Sequence, residues 1–267
     1  NRIGGITLAD GTAFGGTAEG EPLYRYYGYV VDHIIETQEQ ADNAMYDSSA
    51  KGYRPSDGKN IAGRKEIGDY EWKNREGSQT KDGKDYIDSQ DQFLLGYTVP
   101  HSTGGLNNNF TYKNFTLNIF VDWALGHSIN NNSEMRYFMN TFANNYTLID
   151  EVKQCWKQPG DNTKYARFTA NDPDDGNANF SRTSNVFNYK GDYLCIREIS
   201  LQYNVPTNKL TKLGIQNLAI TLAGNNLHYF TAVKGVSPEV GASTTYNKDY
   251  YNYPPIRKYS VGVKVTF

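Results

Sequence analysis

The fold is decided by the final stretch of the sequence, Tyr259-Ser260-Val261-Gly262-Val263-Lys264-Val265-Thr266-Phe267. Large apolar or aromatic side chains occupy every second position, and small or polar side chains lie between them. Successive side chains of a β-strand point to opposite faces, so this alternation predicts a strand with two different surroundings. The stretch therefore indicates a sheet that is apolar on one face and polar on the other.

The same alternation recurs in three earlier segments, so the predicted sheet has several strands. Their apolar positions are Phe115, Leu117, Ile119, Val121, Trp123, Ile199, Leu201, Tyr203, Val205, Leu218, Ile220 and Leu222. In the segment that starts at Phe115, Phe120 is a large ring on an otherwise polar face. Residues 193–205 form the least regular segment. Leu194 and Ile196 fall on the polar face of their segment, and Arg197 falls on the apolar face. We predict a β-bulge there, or packing of Leu194 and Ile196 beneath a loop.

The connections between these segments are short on one side of the predicted sheet and long on the other. Tyr112-Lys113-Asn114-Phe115 reads as a tight hairpin after a strand at 106–112, and 206–214 is a short turn. By contrast, 126–192 and 228–258 are long and polar. This asymmetry is typical of an outer-membrane β-barrel with short periplasmic turns and long extracellular loops. A soluble β-sandwich, whose apolar face would pack on a core, is the alternative.

The part of the chain before these strands is less regular. Strands or strand extensions are predicted at 24–35 and 66–72, and polar connections at 37–59 and 74–91. In the first long loop, 133–156 predicts a helical insert with Ser133 as its N-cap, because Met135, Phe138, Met139 and Phe142 recur at helical spacing. We expect these side chains to form a small loop core rather than a binding platform.

Composition and motifs exclude several classes of function. The chain has 27 basic and 29 acidic residues, and no basic cluster is interleaved with aromatics as nucleic-acid binding requires. No stretch approaches the ~20 apolar residues of a membrane helix. His33, His101, His127 and His228 are isolated, and no Walker loop, nucleophile elbow or metal-binding motif occurs. We predict that the chain is not an enzyme and holds no metal or cofactor.

Two smaller groups of residues, three aspartates and two cysteines, do not indicate a catalytic or metal-binding site. Asp172, Asp174 and Asp175 could in principle serve as a general acid and base, but between Asn171 and Gly176 they read as a solvated turn. Cys155 and Cys195 lack the spacing of a metal or redox site, which leaves either one disulfide or two free thiols.

Several ordered blocks resemble the SusC/RagA-type TonB-dependent transporters of the outer membrane. They are Gly191-Asp192-Tyr193-Leu194-Cys195-Ile196-Arg197-Glu198-Ile199-Ser200-Leu201-Gln202-Tyr203-Asn204-Val205-Pro206, Leu213-Gly214-Ile215, Ala223-Gly224-Asn225-Asn226-Leu227, Pro238-Glu239 and the ending from Pro255 to Phe267. Weaker matches include Gly104-Gly105-Leu106 and Gly68-Asp69-Tyr70-Glu71-Trp72. The resemblance covers most of the chain. It departs from the family at Cys195, where an Arg is usual, and at 81–88, which lacks oxygen ligands of a calcium-like loop and reads as a solvated acidic loop.

The resemblance implies an all-β fold, the C-terminal antiparallel strands of a transmembrane β-barrel with about 22 strands and long extracellular loops. We expect residues 1–267 to be the C-terminal portion of such a barrel, with confident strands within 104–267 and a less certain register within 1–103. The plug domain and the TonB box would lie on another segment of the transporter. TonB and a SusD-like surface lipoprotein that covers the extracellular mouth are the implied protein partners.

The functional hypothesis is TonB-coupled import of an oligomeric nutrient, a glycan rather than a peptide, across the outer membrane. Candidate substrate-binding residues are Trp156, Tyr246, Tyr250 and Tyr251, and the lumen-facing candidates are Asn118, Asp122, Asn217, Thr221 and Asn225. The lipid-facing candidates include Leu117, Ile119, Val121, Leu218, Ile220 and Leu222. Tyr259, Val261, Val263, Val265 and Phe267 resemble an assembly signal for outer-membrane insertion, with Phe267 as the native terminus. A secreted or surface glycan-binding β-sandwich module is the competing hypothesis.

Overall fold

A computed structural model describes residues 25–47, 53–54, 59–60, 63–75, 80–81, 84–140, 147–169, 178–206, 208, 210, 214–239 and 255–267. The chain divides into two compact units. The sheet unit comprises 99–127, 190–241 and 252–267, and the loop unit comprises 1–98, 128–189 and 242–251.

The sheet unit is one antiparallel sheet of five strands in the order β10-β11-β14-β15-β16. The strands are β10 (Ser102–Tyr112), β11 (Phe115–Leu125), β14 (Tyr193–Asn204), β15 (Asn217–Thr231) and β16 (Lys258–Thr266). Each strand pairs with the next of the five along the chain, and the pairing of β10 with β11 is the hairpin that the sequence predicts. The alternating segment that contains Leu218, Ile220 and Leu222 is part of a longer strand, because β15 continues to Thr231. The second long connection therefore starts later than the predicted residue 228.

Register places the apolar side chains in rows that run across the sheet. Phe110, Leu117, Leu201, Leu222 and Val261 form one row of directly paired residues. Tyr112, Phe115, Tyr203, Ile220 and Val263 form the next. Directly paired residues of neighbouring strands point to the same face, so each row adds to a single apolar surface.

The irregular stretch of β14 contains the predicted β-bulge. Phe120 pairs with Glu198 and Val121 pairs with Ile196, so Arg197 is the additional residue. The bulge shifts the alternation by one residue, and Leu194 and Ile196 consequently share a face with Trp123 and Val121.

The hairpin between β10 and β11 is the two-residue connection that the sequence predicts. Lys113 adopts a left-handed backbone conformation with φ of 52°. Asn114 fixes the hairpin to the next strand, because its Nδ2 donates to the carbonyl of Asn204 at 3.0 Å and its carbonyl accepts from Asn204 N at 2.8 Å.

The loop unit consists of short elements. Its strands are β1 (Arg25–Gly28), β2 (Val31–Ile34), β3 (Tyr46–Asp47), β4 (Tyr53–Arg54), β5 (Lys59–Asn60), β6 (Tyr70–Trp72), β7 (Thr80–Lys81), β8 (Lys84–Ile87), β9 (Phe93–Tyr97), β12 (Ser128–Asn130) and β13 (Asn188–Lys190). Its helices are α1 (Gln38–Asn43), α2 (Asn132–Met139) and the 3-10 turns Ser89–Asp91 and Asp150–Gln154. The expectation of plain polar connections at 37–59 and 74–91 is therefore wrong where these elements lie, because paired short strands and capped turns satisfy the backbone there.

Side chains from segments that are far apart in the sequence form the core of the loop unit. Phe138 and Phe180 are fully buried with Tyr70, Trp72 and Phe187. Phe138 stacks on Tyr165 with ring centroids 4.3 Å apart. These contacts fit the expectation that the aromatic side chains of the insert pack inside a loop core.

The helical insert is shorter than predicted and begins one residue earlier. Asn131 is its N-cap instead of Ser133, because the Asn131 Oδ1 accepts a hydrogen bond from Glu134 N at 3.0 Å. Asn140 ends the helix in the left-handed conformation with φ of 49°. Phe142 lies outside the described residues.

Buried polar contacts join distant segments of the loop unit. Asp69 accepts hydrogen bonds from Arg167 Nε at 2.6 Å and from Asn179 Nδ2 at 2.9 Å. The same asparagine accepts from Tyr70 N at 2.9 Å through its Oδ1. A buried polar group is stable only with such partners, so these residues specify how the segments pack.

No helix among the described residues is long and apolar enough to cross a membrane. Cys155 and Cys195 are both buried free thiols, which decides between the two alternatives that their spacing left open.

We predict that Gly28→Ala destabilises the loop unit by about 1–3 kcal/mol, the usual cost of overpacking. A Cβ at Gly28 would lie 2.7 Å from the Thr183 carbonyl oxygen and 2.7 Å from Leu95 Cδ1. Hydrogen exchange of peptides covering 25–35 and 178–187 measures the effect. Gly262→Ala is the matched control, because the nearest atom to its Cβ is 3.9 Å away. Equal protection in the two variants would contradict the packing described here.

Candidate functional site

The candidate site is the sheet of β10, β11, β14, β15 and β16, whose two faces differ in chemistry. Large apolar side chains on one face are exposed even on the three inner strands, where both neighbours are present. Phe115 is 46% exposed, Leu201 38% and Leu222 51%. In a soluble β-sandwich such side chains would be buried against a second sheet. An exposed apolar surface of this kind requires an apolar environment, and a lipid bilayer supplies one.

The opposite face carries amides, hydroxyls and charged groups. All five lumen-facing candidates lie on it: Asn118 is in register with Ser200, Asp122 with Cys195, Thr221 with Gln202, Asn225 with Glu198, and Asn217 with Thr266. The lipid-facing candidates share the apolar face. The structure therefore brings each predicted set together on one face of the sheet.

Two adjacent glycines in β10 make room for aromatic rings from β11. A Cβ at Gly104 would lie 2.3 Å from the Trp123 ring on the apolar face, and a Cβ at Gly105 would lie 2.9 Å from the Phe120 ring on the polar face. Each ring covers the backbone of a glycine, which has no side chain of its own to cover it. Phe120 is therefore a packing residue, which explains the exception in the sequence pattern.

The bulge residue Arg197 is the centre of a charged cluster on the polar face. Its guanidinium binds both carboxylate oxygens of Asp122 at 2.8 and 2.7 Å and also contacts the Glu239 carboxylate. It donates further to Asn226 Oδ1 at 2.9 Å and to the Tyr229 hydroxyl at 3.2 Å. A planar guanidinium has the donors for such a junction, and a lysine does not.

His127 contacts Pro238, the residue next to Glu239, and therefore helps to hold the same segment. Its Nε2 lies 3.3 Å from the carbonyl oxygen of Pro238, which can only accept, so this nitrogen carries the proton and donates. Burial lowers the pKa of His127, partly opposed by its hydrogen bond to Pro238. A Cβ at Gly191 would lie 2.4 Å from the ring, so glycine leaves it space. The Pro238-Glu239 motif is thus tied down at both residues.

The loop unit contains a polar aromatic cluster that sequence reasoning missed. Glu134 accepts hydrogen bonds from the Tyr165 hydroxyl at 3.0 Å and from the Tyr189 hydroxyl at 2.7 Å. Lys164 Nζ lies 4.6 Å from the Tyr165 ring centroid and 5.3 Å from that of Tyr189. Burial raises the pKa of both tyrosines, and the Glu134 charge adds to this effect. The four residues share no sequence spacing that could have revealed the cluster.

Of the four substrate-binding candidates, Trp156 lies among the described residues. Trp156 packs its ring against Gly68, where a Cβ would lie 2.6 Å from it, and its indole nitrogen is buried without a partner among the described residues. The geometry gives Trp156 a packing contact, and a role in binding stays a prediction. Tyr246, Tyr250 and Tyr251 lie outside the described residues.

Comparison with known proteins shows that the chain is similar to several TonB-dependent receptors. No family model matches the chain. Three curated proteins of Formosa agariphila are similar to it. TonB-dependent receptor P3 is 28% identical over 70% of this chain, P39 is 27% identical over 71%, and P26 is 24% identical over 70%. The chain spans only 18–19% of the length of these relatives.

Solved structures of the RagAB peptide transporter share the fold. One has a TM-score of 0.62 at 18% identity and is matched over 96% of this chain and 24% of its own. The RagAB peptide importer in the open-open state has a TM-score of 0.61 at 17% identity, over 98% of this chain and 24% of its own. The predicted resemblance to SusC/RagA-type TonB-dependent transporters is therefore confirmed, together with the barrel-type fold class and the outer-membrane location. The relatives are named as receptors, in agreement with the prediction that the chain is not an enzyme.

We expect Leu222→Lys to reduce insertion into the outer membrane, since a lysine facing lipid near the midplane costs about 2–4 kcal/mol. Thr221→Lys, the adjacent position on the polar face of β15, is the matched control and should insert normally. The folded fraction of each variant in isolated outer membranes is measured by the shift in electrophoretic mobility on heating. A defect that is larger for Thr221→Lys would invert the assignment of the two faces.

Arg197→Gln should loosen the segment 232–239, because Asp122 and Glu239 would then face each other without a cation. Combining it with Glu239→Gln removes the repulsion and should recover part of the lost protection, with a coupling of about 0.5–3 kcal/mol between the two sites. Hydrogen exchange of the segment in the two single variants and the double variant gives this coupling. Strictly additive effects would mean that the cluster does not hold the segment.

Proposed function

We propose that the protein is a TonB-coupled transporter that imports an oligomeric nutrient across the outer membrane. The observation that carries the proposal is the division of the sheet into an apolar face exposed on its inner strands and a polar face with a charged cluster. This division suits a barrel wall with lipid on one side and a hydrated lumen on the other. In this proposal residues 1–267 form the C-terminal portion of the barrel, and TonB acts through a plug on another segment.

The substrate is an oligosaccharide in this proposal. The polar face offers neutral hydrogen-bonding groups at Asn118, Thr221 and Asn225, which suit sugar hydroxyls. The similar RagAB structures are of a peptide transporter, and at 18% identity they support the fold and leave the substrate open. A glycan-binding β-sandwich is disfavoured, because such a module would bury the apolar side chains of the inner strands.

The long connections would face the cell exterior. The hairpin at Lys113 and the connection 126–192 join opposite ends of β11, so they lie on opposite sides of the membrane. Short turns face the periplasm in barrels of this class. The loop unit would then meet substrate first, and a SusD-like lipoprotein would cover it. Tyr259, Val261, Val263, Val265 and Phe267 would serve as the assembly signal.

Purification of the transporter from its native membrane in mild detergent tests the proposal. Mass spectrometry should recover a lipoprotein partner and a bound oligosaccharide, and uptake of that oligosaccharide by cells should stop when the gene for TonB is deleted. A bound peptide would change the substrate class. Uptake that is independent of TonB, or a protein that purifies soluble without detergent, would overturn the transport proposal.

A further inference from the structure

The loop unit contains a polar pocket. Its volume is about 430 Å³, and it lies between the 3-10 turn Asp150–Gln154 and the segment 161–164. The lining includes Lys153, Lys157, Asp161, Asn162 and Lys164. The pocket belongs to the connection 126–192, which the proposed orientation puts outside the cell.

The pocket has more positive than negative charge. Among the described residues, its lining contains three lysines and one carboxylate residue, Asp161. This carboxylate is engaged by the backbone, because Oδ2 accepts from Lys157 N at 2.8 Å and from Gln158 N at 3.1 Å. Lys153 pairs with Asp150 at 2.6 Å in an exposed ion pair. Lys157 has no salt bridge with any described residue, so Lys157 and Lys164 supply the available positive charge.

Lys164 is held in place before any ligand arrives. Its ammonium group lies over the rings of Tyr165 and Tyr189 and is 3.4 Å from the Tyr189 hydroxyl. Glu134 fixes both tyrosines through their hydroxyls. Burial lowers the pKa of Lys164, partly opposed by Glu134, so the cation has lost part of its hydration. A partly desolvated and positioned cation binds an anion at lower entropic cost than a freely moving surface lysine.

The remaining lining favours a sugar over a peptide. Asn162 and Gln154 present side-chain amides, which can donate to and accept from hydroxyl groups. The described residues of the lining include no aromatic or aliphatic side chain that would receive an apolar peptide side chain. Cys155 is buried, and burial raises the pKa of its thiol to about 12, partly opposed by Lys157. The thiol is therefore protonated at neutral pH, and the pocket is suited to binding rather than to nucleophilic chemistry.

We infer that this pocket binds the acidic group, a carboxylate or a sulfate, of an oligosaccharide substrate. The inference rests on the proposed import function and narrows its substrate class to acidic glycans. Lys157 and Lys164 contact the anion, and the amides of Gln154 and Asn162 contact neighbouring hydroxyls.

Binding to the purified transporter with its co-purified partners tests the inference. The probes are an oligogalacturonate, a sulfated galactan oligosaccharide, a neutral oligosaccharide of the same length and oligoglutamate. Lys157→Gln and Lys164→Gln should each weaken binding of one acidic oligosaccharide about tenfold, as expected for a lost charge-assisted hydrogen bond. Lys164→Arg keeps the charge and should restore most of the affinity. Lys113→Gln, the same change in the β10–β11 hairpin of the sheet unit, should have no effect.

The outcomes of this experiment test ligand binding in the pocket separately from TonB-dependent transport. Preference for the carboxylated or the sulfated probe identifies the acidic group. Equal binding of neutral and acidic oligosaccharides, unchanged in both lysine variants, overturns the pocket while TonB-dependent uptake continues. Binding of oligoglutamate alone overturns the assignment to a glycan. Absence of binding for all four probes also overturns the pocket, and only loss of TonB-dependent uptake in the unaltered protein contradicts transport itself.

Discussion

Backbone hydrogen bonding between long antiparallel strands is the constraint on which the rest of the structure depends. A chain that lies in a bilayer has no water to satisfy its N–H and C=O groups, so neighbouring strands must do so. Once the strands of the sheet unit pair in register, each side chain is committed to one face or the other. A slip of one residue would move every side chain of the polar face to the apolar face and every apolar side chain to the polar face. The division between the faces therefore follows from the pairing itself.

The sheet could be predicted from sequence because one physical signal governs it. Period-two alternation identified β11, β14 and β16 almost to the residue, and the break in that alternation at Arg197 located the bulge. The resemblance then supplied the wider architecture, which no single-sequence pattern contains. The extension of β15 to Thr231 was not predicted, because His228 and Tyr229 are polar and aromatic like the sequence that follows them.

The loop unit could not be predicted in the same way. Its order comes from contacts between residues far apart in the chain, such as Asp69 with Arg167 and Asn179. Such contacts leave no period in the sequence, so the connections looked merely polar. The N-cap of α2 was misplaced for a local reason, since Asn131 and Ser133 are both good caps and only the backbone geometry distinguishes them. The cluster of Glu134, Tyr165 and Tyr189 is likewise a product of tertiary packing.

The bulge in β14 also determines which side chain the strand presents to the carboxylates of the polar face. If Arg197 were deleted, Leu194, Cys195, Ile196, Glu198, Ile199, Ser200 and Leu201 would alternate between apolar and polar positions without a break. The alternation of faces along β14 therefore does not depend on this residue, and β15 places Asn226 and Leu227 opposite it. What Arg197 adds is chemical, because its guanidinium is shared between Asp122 and Glu239. At this point of the sheet, one additional residue in an irregular backbone places a positive charge between two carboxylates.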